Sequence, residues 1–65
     1  MPNKSEIKKF MLRNWNQFLD NSNCLIMTNL AEFSYDFFND GDIEKYYEIA
    51  FEVSEMLFKR GFINK

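Results

Sequence analysis

Apolar residues recur with helical spacing in three segments of the chain, separated by two short polar breaks. The first segment predicts a helix from Glu6 to about Leu19, with Ser5 as its N-cap. Ile7, Met11, Trp15 and Phe18 form its stripe, Leu12 and Leu19 widen it, and Lys9, Arg13, Asn16 and Gln17 lie opposite. The run Asp20-Asn21-Ser22-Asn23 is a polar break that supplies the next cap. The second segment predicts a helix from Cys24 to Phe38. Ile26, Leu30, Phe33 and Phe37 make one stripe, Met27, Ala31 and Phe38 a second beside it, and Asn29, Glu32 and Asp36 face water. The run Asn39-Asp40-Gly41-Asp42 ends this helix, with Gly41 free to take positive φ and Asp42 placed to cap the next.

The third segment, Ile43 to Arg60, carries the broadest apolar face. At about 100° per residue, Ile43, Tyr46, Tyr47, Ile49, Ala50, Phe51, Val53, Met56, Leu57 and Phe58 cover an arc of roughly 220°. A surface helix needs a stripe of only about 100°. The remaining arc holds Glu44, Glu48, Glu52 and Glu55, with Lys45 and Lys59. Gly61 follows Lys59 and Arg60 as the expected C′ residue, and a Schellman ending would fold Phe62 back toward Leu57. The single proline, Pro2, interrupts none of the three helices.

This pattern predicts an all-α fold: one domain over residues 1–65, with three helices and the long C-terminal one central. A chain of 65 residues has a marginal core. One cysteine, Cys24, allows no internal disulfide, and without histidine or a cysteine cluster there is no ligand supply for structural zinc. Oligomerisation or dense packing is the remaining source of stability. Three helices with wide apolar arcs therefore predict an oligomeric helical bundle, most simply a homodimer with the third helix at or beside the interface.

Charge is unevenly distributed. Lys4, Lys8, Lys9 and Arg13 make the start basic. From Glu32 to Glu55 there are eight acidic residues against one basic residue, Lys45, and the end turns basic again at Lys59, Arg60 and Lys65. Such a layout gives a polarised field. No apolar h-region follows the first charges, and no run approaches the 18 or so residues of a membrane span. With one free thiol, the expected compartment is the cytoplasm, with no membrane partner. Asn, Lys, Ile, Phe and Tyr, whose codons are AT-rich, are abundant, which points to an AT-rich bacterial, phage or mobile-element genome.

Several local patterns bear on chemistry. The stretch Asp36 to Tyr47 resembles a calcium-binding loop with Gly41 at position 6, but Phe38 and Tyr47 then occupy positions 3 and 12, where ligands are needed. The second and third helices, ending Leu57-Phe58-Lys59-Arg60-Gly61-Phe62-Ile63, resemble a helix-turn-helix whose basic-Gly-apolar-Ile close is similar to that of small winged-helix regulators. A recognition helix presents Arg, Lys, Asn or Gln to base edges, whereas this one would present four glutamates to a polyanion. Those glutamates recur about 5–6 Å apart along the axis, near phosphate spacing, so the strip also fits a nucleic-acid mimic or, more simply, a solvated face with a Glu55–Lys59 pair. There is no histidine for acid–base work and no sequence-level partner to activate Cys24, so no catalytic residue, cofactor or metal is expected.

The twelve aromatic residues exceed the needs of a minimal three-helix core, and aromatics are enriched at interfaces. The expected role is a non-enzymatic adaptor or inhibitor acting on another protein, for instance a phage or mobile-element factor that blocks a host or defence protein. The expected partners are a second copy and an unidentified protein. The residues expected to meet them are Trp15, Tyr46, Tyr47, Phe51 and Phe58, with Glu44, Glu48, Glu52 and Glu55 as the acidic strip. A helix-turn-helix-like DNA-binding regulator, an acidic nucleic-acid mimic and a small-ligand binder lined by the cations of the first helix are the alternatives.

Overall fold

Three α-helices account for the fold in a computed structural model, which describes residues 2–18 and 23–62. Helix α1 runs Lys4–Asn14 and continues as a 3-10 turn over Trp15–Phe18; α2 runs Asn23–Phe38 and α3 runs Ile43–Lys59. No strand occurs among the described residues. Helix α3 packs on both other helices, most extensively on α2. The radius of gyration is 10.9 Å, against about 10.7 Å for a compact chain of this length.

The ends of the helices follow from local hydrogen bonding. Asn3, not the expected Ser5, caps α1. Its Oδ1 accepts the Glu6 N–H at 2.9 Å, and Glu6 Oε1 accepts the Asn3 N–H at 3.4 Å. The glutamate three residues on decides between the two candidates, because it completes a capping box that Ser5, with Lys8 at that position, cannot form. Helix α2 stops where Asn39 enters the left-handed region at φ 53°, followed by Gly41 at φ 84°. Asp42 caps α3 by accepting the Lys45 N–H at 3.3 Å. At the far end, Gly61 at φ 81° completes a Schellman motif: its N–H donates to Phe58 O at 3.1 Å, and the Phe62 N–H donates to Leu57 O at 2.9 Å. The expected polar cap over residues 20–22 lies outside the described residues.

The core is built from Ile7 and Met11 of α1, Ile26, Leu30 and Ala31 of α2, and Tyr46, Ile49, Ala50, Val53 and Leu57 of α3. The five α3 residues span an arc of about 100°, the width of an ordinary amphipathic stripe. The broad apolar face of α3 is thus two faces side by side. One is buried, and the other carries the exposed Phe51 and Phe58, with Tyr47 half-buried beside them. On α2 the structure corrects the expected stripe. Ile26 and Leu30 are buried, but Phe33 and Phe37 stand at the surface, and Ala31 and Ser34 take the inward positions.

A carboxylate ties the α2–α3 turn to the core. The Asp40 side chain is 4% exposed and pairs with Lys45 Nζ at 2.6 Å. It also accepts the Tyr46 hydroxyl at 3.0 Å and the Asp42 N–H at 3.1 Å. The Lys45 ammonium, aided by the Asp42 N–H and the Tyr46 hydroxyl, holds the Asp40 carboxyl below its ordinary range against the opposing effect of burial. Burial and the bond to Asp40 push the Tyr46 phenol far above its usual value. Asp40 therefore stabilises the fold above its unfolded pKa of about 3.9, and that contribution is lost as pH falls through its lower folded value. Tyr46 acts in the opposite sense: its contribution is complete below the unfolded pKa of about 10 and is lost as pH rises beyond it. Melting temperature followed by circular dichroism is expected to fall below about pH 4 and above about pH 10, with Tyr46→Phe flattening the alkaline limb and Asp40→Asn the acid limb.

Candidate protein-binding surface

Two sets of aromatic side chains stand at the surface on opposite flanks of α2. The first is a ridge between α1 and α2. The Phe10 ring stacks on Phe37 at 4.4 Å and on Phe33 at 5.6 Å, and meets Phe38 edge-on at 5.3 Å. Phe18 meets Phe33 at 5.7 Å and Phe37 meets Phe38 at 5.1 Å. Phe37 is nevertheless 65% exposed and Phe33 37%. Phe37 lies in the last turn of α2 and keeps its outer side in water even though Phe10 of α1 stacks on it. The ring contacts fix the rotamers without removing the ridge from water, so binding onto it costs little side-chain entropy.

The second set lies between α2 and α3. Met27, Tyr47, Glu48, Phe51 and Glu52 line an open groove of about 470 Å³. Phe51 is 55% exposed. The Tyr47 hydroxyl donates to Glu32 Oε2 at 3.1 Å, which fixes its ring and raises its pKa. Ser54, on the same flank of α3, has a buried hydroxyl without a hydrogen-bond partner among the described residues.

The residues singled out from the sequence separate in space. Tyr46 lies wholly inside, with its ring against Tyr35 at 5.7 Å and Phe38 at 6.2 Å, and offers a partner no surface. Tyr47, about 100° away around the helix, is half-buried at the edge of the core and is the one of the pair that reaches the surface. Trp15 is partly buried and meets Phe62 edge-on at 5.8 Å, so the Schellman turn delivers Phe62 to the end of α1. Phe51 and Phe58 are exposed. Phe33, Phe37 and Phe10 were expected in the core or not singled out at all. Their helical positions are regular, and the sequence offers no signal of which apolar arc of α2 lacks a neighbour.

The acidic strip is also divided. Glu52 Oε2 and Oε1 pair with Lys4 Nζ at 2.8 Å and Lys8 Nζ at 3.2 Å, which lowers its pKa and joins the basic start of the chain to α3. Glu44, Glu48 and Glu55 are exposed and in no ion pair among the described residues, so the expected Glu55–Lys59 pair is not formed. A second shallow groove, lined by Lys8, Glu52, Glu55, Met56, Lys59 and Arg60, mixes both signs of charge. No group of three or more acidic, cysteine or histidine side chains that could hold a metal ion occurs among the described residues, and no described helix is long and apolar enough to cross a membrane. The side chain of Cys24 lies outside the described residues.

Comparison of the chain with protein-family models, with curated proteins and with solved structures gave no match.

Proposed function

We propose that the protein is a non-enzymatic helical module that works by binding protein surface, and that its first partner is a second copy of itself. The ridge of Phe10, Phe33 and Phe37 carries this reading, because rings already locked against one another stand in water. Aromatic residues, phenylalanine included, are enriched at the cores of protein interfaces. The accessible surface of the chain is 4427 Å², close to the roughly 4,400 Å² of a folded monomer of this mass. The fold thus closes by itself, and the surplus lies in what covers it. Beyond the dimer, the same class of surface supports an adaptor or inhibitor of another protein. The AT-rich-codon composition supports a phage or mobile-element origin and a host or defence protein as the target. DNA recognition is less favoured, because Lys4 and Lys8 are already engaged by Glu52.

Thermal unfolding tests the reading. A dimer coupled to folding gains stability by mass action, so its melting temperature is expected to rise across a hundredfold increase in concentration, by an amount set by about 2.7 kcal/mol of linkage. Phe37→Ser is expected to abolish the concentration dependence while leaving the helical circular dichroism intact. A melting temperature independent of concentration in the parent chain would overturn the reading.

A further inference from the structure

The groove on the other flank of α2 has a different chemistry from the ridge. Its apolar floor is Met27, Tyr47 and Phe51, and its rim is acidic. Glu48 and Glu52 line it directly; Glu52 is already paired with Lys4 and Lys8, so the free charge of the lining is that of Glu48, and Glu32 holds the Tyr47 hydroxyl. Glu44, Glu48 and Glu55 lie within about 40° of one another on α3, next to the outward aromatic flank. All three are exposed and in no ion pair among the described residues. The row from Glu44 to Glu55 is about 16 Å long, or three helical turns.

We infer that this groove docks a cationic amphipathic helix of another protein, with apolar side chains seated on Phe51, Tyr47 and Met27 and Lys or Arg side chains along the glutamate row. The inference rests on the reading of the chain as a protein-binding module but not on its self-association, which uses the opposite flank of α2. Charge complementarity selects the occupant. A second copy brought to the same groove sets its own Glu48 and Glu55 against those of the first, whether the two α3 helices run parallel or antiparallel. Like charges in close juxtaposition disfavour that pairing. A nucleic acid meets the same repulsion. A small ligand finds an open trough whose polar groups are two carboxylates and a Tyr47 hydroxyl already committed to Glu32, not an enclosed pocket with varied polar anchors. A helix carrying cations four and then seven residues apart matches the spacing of Glu44, Glu48 and Glu55. The Tyr47–Glu32 bond holds one wall of the groove in place before the partner arrives.

Fluorescence anisotropy with two labelled synthetic peptides tests this. Each is a helix of about 18 residues with the same leucine seam, one flanked by lysines and the other by glutamates at the same positions. The full chain is expected to bind the lysine peptide at one peptide per chain, with affinity falling as salt rises from about 50 to 300 mM, and to leave the glutamate peptide free. Phe51→Ala and the pair Glu48→Lys, Glu55→Lys are each expected to weaken binding about tenfold or more, which corresponds to the loss of one dominant contact. Phe37→Ser is expected to leave it unchanged. Because Phe51, Glu48 and Glu55 are exposed, these variants keep the parent circular dichroism spectrum. Equal binding of the two peptides, or lysine-peptide binding indifferent to Phe51→Ala and to the charge reversals, would overturn the inference. So would a groove variant that dissociates a dimer, which would assign the groove to a second copy. A dimer that fails to form while the peptide results hold would count against the ridge and not against the groove.

Discussion

Replacing Tyr46 with alanine is expected to remove half or more of the protein's stability at 25 °C. Tyr46 is among the largest fully buried side chains, and it lies where α2, α3 and the turn between them meet. Its ring packs on Tyr35 and Phe38, the Lys45 ammonium sits 5.4 Å from its centroid, and its hydroxyl donates to Asp40. Removing a buried ring costs about 3–5 kcal/mol, and losing the hydroxyl bond adds about 1 kcal/mol. A domain of this length holds only about 3–10 kcal/mol in total. Tyr46→Phe keeps the ring and is expected to remain folded with a loss of about 1 kcal/mol. Urea titration followed at 222 nm distinguishes the two variants. A cooperative transition for Tyr46→Ala at the parent midpoint would show that the contact between α2, α3 and their turn does not hold the fold together.

Leu30→Ala has the second largest expected effect, a loss of about 2–5 kcal/mol. Its informative partner is Phe33→Ala, for which the expected loss is below about 1 kcal/mol, although phenylalanine is the larger residue. Periodicity puts both on one stripe of α2. In the fold Leu30 is fully buried among α1 and α3, whereas Phe33 keeps more than a third of its surface in water. Denaturation midpoints for the two variants test which side of α2 carries the core. At concentrations low enough to keep the chain monomeric, equal losses, or a larger loss at Phe33, would mean that the ridge is structural and not reserved for a partner.

The contrast between Leu30 and Phe33 also marks where sequence reasoning reaches its limit. Helical spacing, Gly41, Asp42 and Gly61 are local signals, and they located three helices, the cap of α3 and the Schellman turn at its end. The cap of α1 was decidable locally too, since Glu6 stands three residues after Asn3. Other features depend on how the helices pack. The divergence of Tyr46 and Tyr47 follows from helix geometry, but which of them points inward depends on where α2 lies. Asp40 meets Lys45 and Tyr46 across five and six residues, spacings with no helical meaning, and only the folded turn joins them. The basic start and the acidic third helix were visible as a polarised layout, while the pairing of Lys4 and Lys8 with Glu52 is tertiary. The excess of aromatics was legible as a count. The division into an aromatic ridge and a groove bordered by glutamates required both flanks of α2 to be seen.

The exposed ridge as a self-association surface is tested most directly by the molar mass in solution. Light scattering on a size-exclusion column, at loadings from micromolar to about 100 µM, is expected to give twice the 7.9 kDa chain mass at the upper end, and the single-chain mass throughout for Phe37→Ser. A parent protein that stays at the single-chain mass across that range, indistinguishable from Phe37→Ser, would contradict it.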